Sequence, residues 1–410
     1  MDAIIECCAG LDVHQETVVV CVLYGPLEEK PKKETKTFGT TTKELLALLD
    51  WLTQLGCTHV AMESTGVYWK PVWNILEGHF TLILANAQRI KNVPGRKTDV
   101  HDAHWIAQLA RCGLIEGSFV PPEDFRDLRD LTRYRRKLIG DATAEKNRIH
   151  KILQDANVKL TTYVTDLFGV SGRALLDSLC NGEVLDSGQV KSLVKTSLKR
   201  KVPQLIDALN GRVRAHHRGM IRMHLDHLHY LEKQIESLDA VIDQQLQPYR
   251  TAIDLLITIP GVQKDTAASI LAEIGDDMSA FPSDAHLASW AGVSPGNNES
   301  AGKKKGTRTT KGNKGLKCAL CQAAWAASKT KGTRLSAFYW RLVKRRGPRK
   351  ANMALAHLIL RIVYHILTNQ ATYEELGDDY LPNRVKPLDY WVHKIEAEGF
   401  TVQLQPKAIA

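Results

Sequence analysis

The sequence predicts an α/β domain followed by a mainly helical one. Three observations predict it. Short β-branched runs alternate with amphipathic stretches over roughly the first third of the chain. Long helical periodicity takes over after Pro121-Pro122, and most of the positive charge lies in the second part. At 410 residues the chain exceeds one ordinary core, so two or three domains are expected.

The elements follow in order. Ile4 to Val13 and Thr17 to Tyr24 read as strands joined by His14-Gln15-Glu16, a hairpin with Asp12 near its tip. A third strand is expected near Thr35 to Phe38. Thr41 and Glu44 make a capping box before Leu45, Leu46, Leu48, Leu49 and Leu52, and Gly56 ends that helix. His59 to Met62 is a short buried strand that delivers Glu63. Ser64-Thr65-Gly66 turns into a helix around Trp69 to Leu76, and Phe80 to Ala85 is another strand. Lys97-Thr98-Asp99-Val100-His101-Asp102-Ala103 then opens a helix whose two aspartates, three residues apart, share a face.

That order is the RNase H-like, or RuvC-like, arrangement, in which acids sit on the first strand, a later strand and a following helix. Asp12, Glu63, Asp99 and Asp102 are therefore candidate metal ligands and catalytic acids, since acids at the strand ends of such sheets fall where ligands bind. Two Mg²⁺ ions held by carboxylates from separate elements suit in-line attack on a phosphodiester. Taken singly, Asp99 or Asp102 would serve equally well as a helix cap, and Glu63 as an exposed strand end. His14, His101 and His104 lie beside these acids but are left out of the site, because magnesium does not favour imidazole.

From Glu123 to about Leu160 the chain reads as long helices, with Phe125, Leu128, Leu131 and Leu138 as an apolar stripe. The opposite face carries Arg126, Arg129, Arg133, Arg135, Arg136 and Lys137. Arg133 and Arg136 are candidate nucleic-acid contacts, and pairing with the interleaved Asp124, Asp127 and Asp130 is the competing use. Between Lys191 and Arg222 there are nine Lys and Arg against one acid, Asp207, which hints at a second such surface. Over 221–246, Ile221, Leu228, Ile235 and Ile242 fall at a positions and Leu231 and Leu238 at d, with His224 and Gln245 at the end d positions. This seam argues for a coiled coil and self-association, although an antiparallel hairpin within one chain would use the same pattern.

Leu256 to Val262, containing Ile259-Pro260-Gly261-Val262, precedes a helix from Thr266 to Ile274, which resembles a helix-hairpin-helix. Such a hairpin offers amides to a DNA phosphate. The usual second glycine is Gln263 here, so packing is a rival role. After Trp290-Ala291-Gly292 comes Asn297-Asn298-Glu299-Ser300-Ala301-Gly302 and a lysine-rich loop. Residues 303–350 hold sixteen Lys and Arg and no acid, within a chain of net charge +10. A block this free of acids points to a polyanion, nucleic acid being the usual one. Its nearest candidates are Lys303, Lys304, Lys305, Arg308, Lys311 and Lys314.

Composition narrows the setting. Hydrophobic content of 44% with 24% charge is that of a soluble globular protein, and neither a membrane span nor a secretory leader is evident, so a cytoplasmic location is expected. The eight cysteines lie mostly in apolar segments and read as reduced thiols. Cys318-x-x-Cys321 lacks the second pair a zinc site needs.

Taken together, Gly10-Leu11-Asp12, Glu63 to Tyr68, Lys97 to Ala103, the Ile-Pro-Gly-Val hairpin and Trp290 through Gly302 resemble the DEDD-type insertion-sequence transposases. This is insertion-sequence family one-hundred-ten, to which the pilin-gene invertase is related. The resemblance covers about residues 5–155 and 221–370. It implies a site-specific recombinase with Asp12, Glu63, Asp99 and Asp102 as magnesium-binding acids and Ser300 as the nucleophile of a transient phosphoserine link to DNA. It also implies double-stranded DNA as substrate, a structured bridge RNA as guide, and dimers or tetramers in which the serine of one subunit faces the acids of another. The expected domains are a RuvC-like domain with a basic helical extension over 1–157, a helical insertion over 158–220, a coiled coil over 221–250, a transposase domain over 251–380 and a tail. Two other readings stay open: a RuvC-like nuclease of the junction-resolvase type using metal-activated water, and a non-catalytic nucleic-acid-binding protein on a decayed fold. The intact acids argue against the latter, and the long Ser300-bearing region against the former.

Overall fold

The computed structural model describes residues 2–64, 66–86, 102–296, 298–300, 303–306, 309–380 and 388–403, so Asp99 lies outside the described residues. The chain divides into two compact units, Met1–Val120 and Pro121–Ala410. By packing, the helix expected as a basic extension of the first domain lies in the second unit.

The first unit is built on a mixed sheet of order β3-β2-β1-β4-β5. Its strands are β1 (Cys7–Val13), β2 (Thr17–Tyr24), β3 (Lys32–Gly39), β4 (His59–Glu63) and β5 (Thr81–Ala85). The first three are antiparallel, and β4 and β5 run parallel to β1. Helices α1 (Thr42–Gln54) and α2 (Trp69–Leu76) share a core with Ala9, Leu11, Val13, Val60 and Met62. Helix α3 (Asp102–Arg111) packs with Cys8, Cys21, Leu23 and Ala61. Strand side chains alternate between faces. Gly10, Asp12 and Glu63 accordingly belong to the α3 face, in step with Cys8 and Ala61.

Gly10 sets how closely α3 approaches. A Cβ there would lie 2.3 Å from the carbonyl oxygen of Ala103 and 2.3 Å from the Ala107 nitrogen. At the other end of α3 the buried Arg111 donates to the carbonyls of Glu6, Gly25 and Pro26 at 3.0, 3.1 and 2.8 Å. The helix is thus held at both ends against the β1–β2 hairpin that carries Asp12.

Among the described residues, the second unit is helical apart from a short hairpin. Its two longest helices, α4 (Glu123–Asp155) and α8 (Ala215–Gln245), lie against each other. Arg135 pairs with Asp239, Glu145 meets His224 and His227, and Asp155 meets His217. Partners that ascend one helix descend the other, so the pair is antiparallel. Leu228 and Leu231 of the heptad seam are buried against Leu138 and Ala142, with Ile235 and Leu238 alongside. The seam expected to recruit a second copy is filled within the chain, and it gives no argument for self-association.

The stretch over 158–220 forms a cap on this hairpin. Helices α5 (Val170–Asn181), α6 (Ser187–Leu193) and α7 (Val202–Leu209) enclose Leu175, Leu176, Val190 and Leu205 together with Ile149, Leu153 and Ile221. Part of the positive charge between Lys191 and Arg222 is matched internally, as in Arg222 with Asp177 at 2.9 Å.

His224, a polar d position of the seam, is explained by Glu145. Its Nδ1 lies 2.6 Å from one carboxylate oxygen of this buried acid, and Nδ1 of His227 lies 3.1 Å from the other. Burial alone would raise the Glu145 carboxyl, but the two histidine hydrogen bonds override it and hold the group below its ordinary value. A carboxylate depressed on folding contributes stability above its unfolded value and loses it as pH falls through the folded one. Glu145→Gln should therefore flatten the acid limb of a plot of melting temperature against pH, measured from about pH 6 to about pH 3. Parallel limbs would show that the cluster contributes nothing.

The remaining helices are α9 (Arg250–Ile257), α10 (Lys264–Ile274), α11 (Asp284–Ala291), α12 (Lys314–Ala327), α13 (Arg334–Arg346), α14 (Pro348–Asn369) and α15 (Leu388–Glu396). Among the described residues, α14 alone is long and apolar enough to cross a membrane. It is a core helix here, with Ala351, Leu355, Ile359, Leu360 and Val363 fully buried.

Candidate active site and nucleic-acid interface

Three of the four sequence-predicted acids converge at one edge of the sheet. Parallel pairing sets Leu11 beside Met62, so Asp12 and Glu63 are the next residues along adjacent strands, both toward α3. Asp102 is the first residue of α3, held close by the Gly10 contact. Their electrostatics agree. Burial raises the Asp12 carboxyl, His14 opposes it, and the charges of Asp102 and Glu63 raise it further, leaving it above its ordinary value.

An ionised Asp12 is thus disfavoured by its neighbours. A divalent cation would relieve that repulsion, and an all-carboxylate oxygen set suits a hard ion such as magnesium. Among the described residues, no group of three or more acid, histidine or cysteine side chains is placed to hold an ion by itself. Asp99, the fourth acid, falls outside them.

His14, left out of the candidate metal site on sequence grounds, stands beside one of its acids. Its Nε2 lies 3.2 Å from Oδ2 of Asp12. Its place in the link beside the acid is the sequence signal for this contact. Gly10 was also missed as a site determinant, although it stands two residues before Asp12 on the same strand face.

Ser300 ends strand β6 (Asn298–Ser300), which pairs antiparallel with β7 (Lys303–Gly306), Ser300 opposite Lys303 and Glu299 opposite Lys304. This backbone ladder places the serine and the lysine-rich run on one hairpin. A further bridge, Pro295 to Thr309, lies at its root. There Lys317 donates to the Gly292 carbonyl at 2.8 Å, and the backbones of Gly292 and Gly312 press together so tightly that a Cβ on Gly312 would lie 2.4 Å from the Gly292 nitrogen. Lys311 and Lys314 follow this root, whereas Arg308 lies outside the described residues.

The root continues into a buried ionic network. Asn313 caps α12 and donates to Glu273 at 2.6 Å. Glu273, 2% exposed, takes Arg133 through both carboxylate oxygens at 2.8 and 2.9 Å and Arg129 at 3.0 Å. Arg136 donates to the Gly315 carbonyl at 3.0 Å. Arg133 and Arg136, named from the sequence as nucleic-acid candidates, direct their guanidinium groups to α10 and the start of α12. These longer-range partners add to whatever pairing the neighbouring acids of the helix provide.

The helix-hairpin-helix also resolves toward packing. Ile259 and Val262 are buried, and Gly261, at φ +86°, would place a Cβ 2.4 Å from the Ala327 nitrogen and 2.5 Å from the Ala323 carbonyl oxygen. Its turn is pressed onto α12.

Comparison with known proteins agrees at both ends of the chain. A transposase model of the DEDD, IS110 type matches residues 9–158, and a model described as transposase IS116/IS110/IS902 family matches residues 253–340. An uncharacterised protein of insertion element IS110 from Streptomyces coelicolor is 26% identical over 310 residues, 68% of this chain and 73% of the relative. The transposase for insertion sequence element IS1533 from Leptospira borgpetersenii is 26% identical over 275 residues, 65% of this chain and 69% of the relative.

Proposed function

The chain belongs to the IS110 family of DEDD transposases, and on that premise we propose that it is a magnesium-dependent, site-specific DNA recombinase acting through a serine–DNA intermediate. The observation that carries the catalytic half is the convergence on one sheet edge of Asp12, Glu63 and Asp102, with the Asp12 carboxylate disfavoured by burial and by the charges of the other two. Its first unit is read as RuvC-like. Asp12, Glu63, Asp99 and Asp102 are the residues that would hold the ions, two by the usual chemistry of such centres. Bound there, they supply charge stabilisation for the attacking and leaving oxygens of a phosphodiester.

Ser300 is the proposed nucleophile. Its Oγ forms a bond to phosphorus as a strand P–O bond breaks, leaving a free strand hydroxyl. Attack by the hydroxyl of a second strand reverses the step and rejoins DNA without hydrolysis. The lysines of the hairpin, Lys303, Lys304 and Lys305, with Lys311 and Lys314 beyond it, are positioned in sequence to neutralise backbone phosphates, and we include Arg308 with them. Arg133 and Arg136 are assigned to scaffolding instead. A bridge-type guide RNA, a cytoplasmic location with the DNA, and dimers or tetramers that bring the serine of one copy to the acids of another complete the reading; they rest on the family resemblance.

The test is to quench a reaction of the full chain with Mg²⁺ and its element's DNA and RNA, digest the nucleic acid, and locate the residual nucleotide by mass spectrometry. A phosphonucleotide on the peptide containing Ser300 is expected. Cleaved DNA with no adduct on any residue would favour the water-using nuclease.

A further inference from the structure

Two tryptophans stand on the surface of the acid-free block. Trp325 on α12 is 52% exposed and Trp340 on α13 is 55% exposed. Single exposed aromatics are ordinary, but these two are organised around one buried residue. Tyr339, 2% exposed, meets Trp325 edge to face at 6.5 Å between centroids and Trp340 at 5.2 Å. Trp340 Nε1 donates to the Ser328 carbonyl at 3.1 Å, and the buried Ser336 hydroxyl donates to the same oxygen at 2.9 Å. Both indoles are therefore held by the fold with half their surface in water.

Cations surround them. The Lys329 ammonium lies 4.7 Å from the Trp325 ring centroid. Lys344 is one helical turn beyond Trp340 and therefore on its side of α13, and Arg341 and Arg345 are exposed next to that line. The block 303–350 itself supplies cations and no acid, with Glu375 meeting the start of α13 through the Arg334 backbone N–H at 2.8 Å, so the cations about the two indoles favour a polyanion.

We propose that Trp325 and Trp340 form a base-stacking platform for single-stranded nucleic acid, with Lys329 and Lys344 taking the flanking phosphates. In a duplex the base faces are already stacked on one another, and only unpaired bases can lie on an indole. The proposal rests on the recombinase reading only for the origin of the strand. An unpaired RNA segment and a displaced DNA strand present the same chemistry of a π-face beside a phosphate.

Binding of oligo(U), oligo(dT) and a mixed-sequence DNA duplex to the full chain should be compared by fluorescence anisotropy. Trp325→Ala should weaken single-strand binding by about tenfold and leave duplex binding within about twofold, while Trp325→Phe, which keeps a ring, should retain most of the affinity. Trp340→Phe offers a second ring-conserving variant, and melting curves check folding. Loss confined to oligo(U) points to RNA, loss confined to oligo(dT) to a displaced DNA strand, and either supports the platform. Single-strand affinity unchanged in Trp325→Ala, or an equal loss on duplex, overturns it. Unchanged nucleic-acid binding with lost self-association in light scattering also overturns it and gives the face to a second copy. An Asp12→Asn protein should bind the oligonucleotides normally. The platform and the recombinase reading can therefore fail separately.

Discussion

Asp12→Asn should stop strand cleavage and, without divalent metal, make the protein melt at a higher temperature. Both effects follow from one arrangement. Burial, Asp102 and Glu63 together push the Asp12 carboxyl above its ordinary value, even against His14. An acid whose value is raised on folding is held less readily as carboxylate than in the unfolded chain. At neutral pH the ionised group therefore opposes folding, and the opposition disappears only as pH falls and the group is protonated. Asparagine removes the charge and nearly keeps the shape. Loss of even an outer partner of a metal ligand costs about 10–100-fold, so loss of a ligand should cost at least a hundredfold in cleavage, while DNA affinity stays within about twofold. Magnesium should stabilise the wild type by about 2.7 kcal/mol at a hundredfold excess over its Kd and the variant much less. Differential scanning fluorimetry with and without Mg²⁺, beside a cleavage assay, checks both. Equal Mg²⁺ shifts in the two proteins would remove Asp12 from the metal site.

The meeting of Asp12 and Glu63 at one sheet edge was legible because strand alternation and chain order are local properties. Asp12 and Glu63 each follow an apolar run, and period two decides their face once the register of β1 and β4 is set. What sequence periodicity cannot say is who fills an apolar seam. Ile221, Leu228 and Leu231 advertise a partner helix, and an α4 helix nearly a hundred residues earlier satisfies them as well as a second copy would. Arg133 is a second case. Asp130, three residues before it, is the neighbour that helix spacing suggests, whereas Glu273 is reached only through tertiary packing. Charges at helix spacing report possibilities; desolvation decides among them. A buried carboxylate such as Glu273 needs several donors, and it draws Arg129, Arg133 and Asn313 together. The consequence reaches the serine hairpin, because Asn313 and the Gly292–Gly312 contact stand at its root.

Gly10→Ala should be the most damaging single-methyl change in the first unit. The added carbon would sit 2.3 Å from two backbone atoms of α3, and backbone cannot rotate away as a side chain can. The helix must retreat, and Asp102 at its N-terminus retreats with it while Asp12 and Glu63 stay on the sheet. Overpacking of this kind costs about 1–3 kcal/mol of stability. Catalysis is expected to suffer more, since misplacement by about 1 Å can cost a hundredfold. The internal control is Gly140→Ala in α4, where nothing lies within 4 Å of the new carbon. That change should stabilise the helix by up to about 1 kcal/mol. Chemical denaturation and cleavage rates of the two variants separate general intolerance of alanine from the specific approach of α3. If Gly10→Ala keeps both stability and the Mg²⁺-dependent melting shift, α3 does not hold Asp102 in place through Gly10. A variant with normal stability but weakened Mg²⁺ response would still support the arrangement, because the helix could yield without unfolding and carry its ligand out of reach.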